Sequence, residues 1–530
     1  MTGKKPSVLL ERPAKSERGE VRVQAQRAAL GRHIPWIAAL LTFVLHLAGN
    51  SHYGFFRDEL YFIICGFRPD LGYVDQPPLV PLLAAFSQTF GLSLFALRVV
   101  PAVFAALATY IAGRFAVELG GGRFAIIVAA LVTTFAPQML AFGSRLSPDT
   151  VEMAVWPLIA LLVYRISRGA APRWWLVVSV LTAFGFWSKY SVGFFVVAIV
   201  VGLLLTPQRA ALRTPWFAAS VFLGALLIAP NVWWQWHYHF PMLQLLHNDY
   251  DKFMLKWPPF PLQQIMVMSP LLSVVWLIGL GWLFANARTR FLAWTYVALI
   301  AMMWAGDAKA YYPASVYPYL VAAGAVPIER WTGVRHKWRA AIIAVVIAFA
   351  IPSTPFVLPV VPMDTYIRYQ MALGNLLHIN FHVETTNNAI PIQYYADMTG
   401  WPQLEKRAAS IYRALPPGER KSAAIYAHNF GEAAAIDLYG PADRLPPALS
   451  GNDNYWLWGT HGFDGSVVID VNGRELLPYY RSVRRVATFH NPLAMPYENN
   501  LPIWVLRSPK QPLSAIWPHL KNYSYAFNGL

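Results

Sequence analysis

Long apolar segments separated by short polar connections occupy the first two thirds of the chain. Residues 33–56 contain no Asp, Glu, Lys or Arg, and they can form one helix across a hydrocarbon core of about 30 Å. Ten further segments bring the predicted spans to eleven: 98–117, 123–142, 149–167, 173–188, 190–206, 215–234, 262–285, 290–305, 311–328 and 339–360. The pattern predicts a mainly α-helical polytopic membrane protein.

Composition agrees with this pattern. The 530 residues are 56% hydrophobic and 13% charged, whereas soluble domains carry about 25% charged residues. An ordinary soluble enzyme is thereby excluded. The single cysteine, Cys65, excludes an intrachain disulfide framework and a CxxC redox pair. A net charge of 43 − 27 = +16 is explained by cytoplasmic anchoring residues, so no nucleic-acid partner is expected.

Basic residues recur in every second connection, which fixes the predicted sidedness. If residues 1–33 form a cytoplasmic basic tail, each even-numbered connection is also cytoplasmic and basic, as the positive-inside rule requires. These connections contain Arg114, Arg123, Arg165, Arg168, Arg173, Arg209, Arg213, Arg288, Arg290, Arg330, Arg335, Lys337 and Arg339. The N-terminus is therefore predicted in the cytoplasm, and the chain after the eleventh span is predicted outside.

One charge-free segment, residues 76–97, does not fit as a span. If it crossed the membrane, all later basic turns would move to the outer side. Pro77, Pro78 and Pro81 also crowd its start, where they would break a helix. We therefore predict that 51–97 is a re-entrant or juxtamembrane loop on the outer face. Non-helical backbone at membrane depth persists only inside protein or along a cavity, so the loop indicates a site.

The composition changes after residue 362, where charges become denser. We divide the chain into a transmembrane domain, 34–362, and an extracytoplasmic soluble α/β domain, 363–530. Within the second domain the periodicity predicts helices over 402–415 and Gly431 to Tyr439. It also predicts strands over Ala423 to Tyr426, Ser466 to Val471 and Ile503 to Leu506.

Four outer connections bring charged side chains to one face: Arg57, Asp58, Glu59, Asp75, Arg145, Asp149, Lys189 and Lys309. Each alone is an ordinary loop charge in water, but the connections are too short to carry them far from the membrane. The carboxylates can hold a hard divalent cation or act as a general base. The cations can bind a phosphate. Together they suit a substrate with a phosphate head and a lipid tail.

Five short motifs then resemble one family, the C-type (GT-C) membrane glycosyltransferases of the protein O-mannosyltransferase and lipid A aminoarabinose transferase group (glycosyltransferase family 39/83 type). They are Arg57-Asp58-Glu59-Leu60-Tyr61, Asp75-Gln76-Pro77-Pro78-Leu79, Ser147-Pro148-Asp149-Thr150, Ser188-Lys189-Tyr190 and Lys309-Ala310-Tyr311-Tyr312-Pro313. Gln76 stands where the family has lysine, and Tyr190 stands where it has glycine. The first departure removes a cation near the expected phosphate.

The resemblance implies a GT-C helix bundle that moves a sugar, with inversion, from a polyprenyl-phosphate donor to a lipid, polysaccharide or protein acceptor at the outer face. Asp58 would be the catalytic base. Glu59 would assist it or be structural, paired with a loop arginine. Donor phosphate binding would fall to Lys189, Lys309, Tyr312, Arg57 and Arg145. Asp75 and Asp149 would hold a divalent metal (Mg, Mn or Zn). Such a protein would modify lipid A or cell-wall glycan from a bacterial-type inner or plasma membrane, with its C-terminal domain periplasmic or extracellular.

Two other functions compete with glycosyl transfer. A transporter or flippase of lipid-linked sugars would also place charges in a membrane cavity. It would need polar residues along the whole path, yet here they gather at one edge. A scaffold that recruits partners through the outer domain leaves the acidic first loop unexplained. The sequence does not name the sugar, the acceptor or the oligomeric state.

Overall fold

The structure, a computed structural model, describes residues 33–249, 258–378 and 391–524. The predicted basic tail therefore lies outside the described residues except for His33. The helices up to residue 377 are α1 His33–Leu47, α2 Arg57–Phe67, α3 Leu79–Ser87, α4 Leu94–Glu118, α5 Arg123–Phe135, α6 Pro137–Ser144, α7 Asp149–Ser167, α8 Trp174–Phe186, α9 Val192–Leu204, α10 Pro215–His237, α11 Pro241–Asn248, α12 Phe260–Val267, α13 Pro270–Ala285, α14 Arg290–Ala305, α15 Tyr317–Thr332, α16 His336–Ser353 and α17 Met363–Leu377. The predicted mainly helical fold class is confirmed.

Helix length separates the apolar helices into groups. Among the described residues, four helices are long and apolar enough to cross a membrane: α4, α7, α10, and α16 with the turn that extends it to Phe356. Two bent pairs, α5–α6 and α12–α13, raise this number to six, and four shorter apolar helices are α1, α8, α9 and α14. Each of the eleven predicted segments thus contains a helix. The number of spans itself stays a prediction.

Proline causes the sharp bends in the bundle, because it lacks the amide hydrogen and clashes with the preceding turn. The axes of α5 and α6 differ by 63° at Pro137, and those of α12 and α13 by 116° at Pro270. Helix α7 is central, with 83% of its apolar window buried, whereas α10 and α16 bury only 11% and 17% of theirs. The residue that begins α7, Asp149, is therefore carried by a well-packed element.

The predicted outer loop, 51–97, folds into two short helices joined by a loop. Helix α2 has 11 residues and α3 has 9, so neither is long enough to cross a bilayer. Nearly all of α2 is buried. Its apolar residues belong to the same hydrophobic cluster as Trp401, Ile425 and Ala433 of the C-terminal domain. The segment is thus the platform on which that domain packs.

The C-terminal domain is a mixed sheet covered by helices. Its strands are β1 Ala423–Ala427, β2 Ala448–Leu449, β3 Val467–Val471, β4 Tyr480–Phe489 and β5 Leu501–Pro509, and its helices are α18 Gln393–Ala396, α19 Trp401–Ala414, α20 Pro417–Arg420, α21 Phe430–Tyr439, α22 Asp453–Trp458 and α23 Leu513–Ile516. The strand order is β2-β1-β3-β5-β4. Strand β1 pairs in parallel with β2 and β3, whereas β5 pairs antiparallel with β3 and β4.

The predicted elements of this domain agree with α19, α21, β1, β3 and β5. Strand β4 was not predicted, because most of its side chains are exposed and include Arg481, Arg484 and Arg485 instead of alternating apolar residues. As an edge strand it needs no second buried face.

Candidate active site

The predicted site residues form two groups at one end of the bundle. The first, the lysine cluster, consists of Asp149, Lys189 and Tyr312. The Lys189 ammonium lies 2.7 Å from Asp149 Oδ1 and 3.8 Å from the ring centroid of Tyr312. The side chains of Lys189 and Asp149 are 16% and 7% exposed. A largely buried cation is thus held in place by a carboxylate and an aromatic face.

The lysine cluster is held by polar contacts between α7 and the loop that precedes α9. Ser188 Oγ donates to the carbonyl of Pro148 at 2.8 Å. Ser191 Oγ donates to both oxygens of the buried Glu152, each at 2.8 Å. Lys309 lies near Tyr311, the residue before Tyr312, with its ammonium 6.0 Å from the ring centroid of Tyr311. Sequence reasoning missed Glu152, whose signal was a carboxylate inside a predicted span.

The second group, the acid cluster, consists of Asp58, Asp75 and Asp453. Asp58 lies in the first turn of α2, has a 36% exposed side chain, and accepts a hydrogen bond from Arg57 Nε at 3.2 Å. Asp75 lies in the loop before α3 and accepts from the Tyr61 hydroxyl at 3.4 Å. Both carboxylates are therefore oriented by side chains of the first sequence motif, Arg57 and Tyr61.

Asp453 belongs to the C-terminal domain and was not predicted as a site residue. It begins α22, is fully buried, and has a positive φ of 46°. Burial and the nearby carboxylates of Asp75, Asp249 and Asp58 raise the pKa of Asp453 well above its ordinary value. No sequence signal reveals this proximity, because nearly 380 residues separate Asp453 from Asp75.

The two clusters are tied together through Tyr190, the residue next to Lys189. Its hydroxyl donates to Asn231 Oδ1 at 3.0 Å, and Asn231 Nδ2 donates to the carbonyl of Leu71 at 2.7 Å. The amide of Leu79 donates to the carbonyl of Trp187 at 2.8 Å. The loop of Asp75 and the loop of Lys189 are thus bound to each other on both sides. Tyr190, a departure from the family pattern, has a defined role in this contact.

Glu59 occupies a different environment from its neighbour Asp58. It is fully buried and forms an ion pair with Arg98 of α4 at 3.1 Å. Its oxygens also accept from the amides of Phe56 at 2.9 Å and Leu146 at 3.0 Å. Arg98 in turn donates to the carbonyls of His52 and Gly54. These contacts favour the structural alternative for Glu59, with an arginine at the start of a helix as its partner.

The two predicted arginines differ in their surroundings. Arg57 is buried against the C-terminal domain, where its amide donates to the carbonyl of Asp397 at 3.0 Å and its guanidinium lies 5.3 Å from the ring of Phe430. Arg145 is partly exposed and stacks 3.8 Å from the ring centroid of Tyr394. A stacked guanidinium keeps its N–H edge available for an anion. Arg57 is therefore placed to join the two domains, and Arg145 is better placed for a phosphate.

The predicted divalent metal does not fit this arrangement. Within 33–249, 258–378 and 391–524, no three His, Cys, Asp or Glu side chains are grouped so as to hold a metal ion. One of the two predicted ligands, Asp149, already faces the Lys189 ammonium. We therefore assign no chemical step to a metal.

Gln76 replaces the family's lysine and is buried, with 1% of its surface exposed. Its side-chain amide has no hydrogen-bond partner among the residues that the structure describes. The substitution thus leaves a neutral polar group, not a cation, beside Asp75.

Comparison with known proteins supports the fold and the motifs. Residues 75–234 match the family model of the dolichyl-phosphate-mannose-protein mannosyltransferases, a segment that contains Asp75, Asp149 and Lys189. No curated protein matches the chain.

Solved structures resemble the whole chain. ArnT from Cupriavidus metallidurans in the apo state has a TM-score of 0.53 at 14% identity, over 93% of this chain and 98% of that one. The same protein bound to undecaprenyl phosphate has a TM-score of 0.55 at 13% identity, over 88% and 97%. The arabinofuranosyltransferase AftD from Mycobacteria has a TM-score of 0.50 at 14% identity, over 90% of this chain and 42% of that one. The chain thus shares the GT-C fold of these solved structures, and its residues 75–234 are similar to the mannosyltransferase family.

Proposed function

We propose that the protein transfers a sugar from a polyprenyl-phosphate donor to a hydroxyl-bearing acceptor at the outer face of the membrane, with inversion. The observation that carries the proposal is the joining of a lysine cluster and an acid cluster at one end of a GT-C bundle. A phosphate leaving group needs the first, and an acceptor that must lose a proton needs the second. The structural relative bound to undecaprenyl phosphate supports this donor class.

The lysine cluster is the proposed site of the donor phosphate. The Lys189 ammonium is positioned by Asp149 and Tyr312 before any ligand arrives, so little side-chain entropy is lost on binding. Arg145 and Lys309 supply further donors to the phosphate oxygens. These cations would stabilise the charge that develops on the departing phosphate.

The acid cluster is the proposed site of proton removal. Asp58 takes the proton of the acceptor hydroxyl while that oxygen attacks the anomeric carbon, and the bond from this carbon to the phosphate oxygen breaks. The polyprenyl phosphate leaves with the bonding electron pair. A single displacement of this kind inverts the anomeric configuration. Asp58 suits the role because its side chain is partly exposed, unlike that of Glu59.

The proposed location is a bacterial-type inner or plasma membrane, with the N-terminus in the cytoplasm. Basic residues at every second connection support it. Topology reporters fused at residues 210 and 450 test it. We expect a cytoplasmic signal at residue 210 and an outer signal at residue 450, and the reverse result would contradict the proposal.

Mass spectrometry of lipids and glycans in cells with and without the gene tests the reaction. We expect one glycan or glycolipid to lose a sugar without the gene and to regain it with the wild-type chain. The Asp58→Asn chain should not restore it. An unchanged glycan profile, combined with a changed distribution of the lipid-linked donor between the two leaflets, would instead support the flippase alternative.

A further inference from the structure

One member of the acid cluster, Asp453 of the C-terminal domain, has a buried carboxyl with no hydrogen-bond partner within 33–249, 258–378 and 391–524. Asp453 is 0% exposed, and neither of its carboxylate oxygens has a hydrogen-bond partner among the described residues. Its backbone amide, in contrast, donates to the carbonyl of Asn522 at 3.1 Å. Burying a carboxyl without a partner is costly, so a side chain in this state indicates a missing ligand.

Another acid of the same domain shows the usual arrangement. The side chain of Asp437 is 7% exposed, and its carboxylate accepts from the amide of Ala448 at 2.7 Å and from the Tyr455 hydroxyl at 3.1 Å. Both oxygens of Asp437 thus have hydrogen-bond partners, whereas neither oxygen of Asp453 has one among the described residues. Asp453 departs from this pattern at the position that faces the bundle.

The residue after Asp453 fixes this position. Asn454 Oδ1 accepts from the amide of Val74 at 2.7 Å and from the Tyr61 hydroxyl at 3.3 Å. Val74 directly precedes Asp75, and Tyr61 lies one turn along α2 from Asp58. The start of α22 is thus bound to both segments that carry the catalytic candidates.

We propose that Asp453 is an acceptor-binding residue, which holds a second hydroxyl of the acceptor while the reacting hydroxyl lies at Asp58. This inference rests on the proposed function. The donor phosphate is assigned to residues of the bundle, whereas Asp453 comes from the domain that covers the site from the other side. The acceptor is therefore the substrate that the C-terminal domain contacts.

The chemistry of the side chain indicates the class of acceptor. Burial and the neighbouring carboxylates, Asp75, Asp249 and Asp58, favour the protonated form of Asp453, and the guanidinium of Arg57 opposes them. A protonated carboxyl donates one hydrogen bond and accepts another, which matches a hydroxyl group. A sugar ring offers a second hydroxyl beside the reacting one, whereas a serine side chain offers only one. The acceptor is thus a carbohydrate.

The test uses the full chain in cells that lack the gene, with the restored glycan or glycolipid measured by mass spectrometry. The variants are Asp453→Ala and Asp453→Asn. Asp470→Asn is the matched control, because Asp470 is a buried carboxyl of β3 in the same domain. Each purified protein is also assayed for binding of undecaprenyl phosphate and for its melting temperature.

We expect Asp453→Ala to lower product formation roughly ten- to a hundredfold, since a buried hydrogen bond to substrate is lost. Asp453→Asn should lose less, because an amide also donates and accepts. Binding of undecaprenyl phosphate should be unchanged, and the melting temperature should not fall. Asp470→Asn should behave as the wild type. A purely structural role predicts the opposite, a lower melting temperature with lipid binding lost alongside product.

Full product from Asp453→Ala would overturn the inference while leaving the proposed function intact. A sugar found on protein instead of carbohydrate would overturn the acceptor class. If the wild-type chain itself restores no product and binds no undecaprenyl phosphate, the proposed function fails, and the inference fails with it. The wild-type result thus distinguishes the two failures.

Discussion

The lysine cluster and the acid cluster differ in how their ionisable side chains are paired. In the lysine cluster the ammonium of Lys189 is paired with Asp149 at 2.7 Å, and the Ser191 hydroxyl donates to the nearby Glu152. In the acid cluster the buried carboxyl of Asp453 has no partner in the part of the chain that the structure describes, and Asp58 remains partly exposed.

The difference reflects where each cluster comes from and what it must do. The lysine cluster is built within the bundle, so its geometry is complete before the donor binds. The acid cluster forms only where α2, the loop before α3 and α22 meet. The buried carboxyl of Asp453, which has no partner among the described residues, costs stability unless a substrate supplies the missing hydrogen bonds. Buried polar groups are ordinarily hydrogen-bonded. The acid cluster departs from this rule, as functional sites commonly do.

The largest expected effect comes from removing the base. Asp58→Asn keeps the shape of the side chain but cannot take a proton, so we expect transfer to fall about 10²–10⁴-fold with donor binding largely kept. Single-turnover assays with the purified protein measure the loss. Asp70→Asn, an exposed acid of the same outer segment, is the control. Near-normal turnover by Asp58→Asn would move the base elsewhere and break the assignment of the acid cluster.

The second prediction tests whether Glu59 has a structural role that the residues of the acid cluster do not share. Arg98→Met leaves a fully buried carboxylate unpaired, which should cost about 3–5 kcal/mol in the free energy of unfolding. Denaturant unfolding in detergent measures the loss. The double variant with Glu59→Gln should regain part of it, because the unpaired charge is then removed. If Glu59→Gln alone abolished turnover in a fully stable protein, the residue would belong with the catalytic acids.

Lys189→Ala tests the other half of the comparison. The variant loses a charge-assisted contact to phosphate, so we expect affinity for undecaprenyl phosphate to fall roughly ten- to a hundredfold. Native mass spectrometry of the lipid complex measures this affinity. Lys421→Ala, an exposed lysine of the C-terminal domain, should bind the lipid normally. Equal lipid binding by both variants would remove the phosphate site from the lysine cluster.

The smallest effect concerns the domain contact behind the acid cluster. Burial raises the pKa of Glu498 from 4.5 to about 7, with Arg57 opposing and Asp397 adding to the shift. The protonated form is favoured in the fold, so its stabilisation is complete below pH 4.5 and is lost as the pH rises through about 7. We expect the melting temperature of the wild type to fall across this window more than that of Glu498→Gln. Parallel curves would contradict the prediction.

Much of the fold could be predicted from the sequence, because a membrane helix is recognisable from the apolar residues of its own segment. A hydrocarbon environment demands long apolar segments, so each predicted segment contains a helix. Strands β1, β3 and β5 of the C-terminal domain were likewise predicted, whereas the two-residue β2 is too short to give a pattern. Strand β4 was missed because an exposed edge strand has no apolar pattern to read.

For the site, the sequence by itself determined which motif residues follow one another at the predicted outer connections, including Asp58, Asp75 and Lys189. Only the tertiary structure decided their partners. It placed Glu59 against Arg98, Arg57 at the domain contact, and Asp453 near Asp58 and Asp75. The reason is physical: an apolar run or a short motif is set by neighbours in the chain, whereas the pairing of a buried charge depends on groups that packing brings together from distant segments.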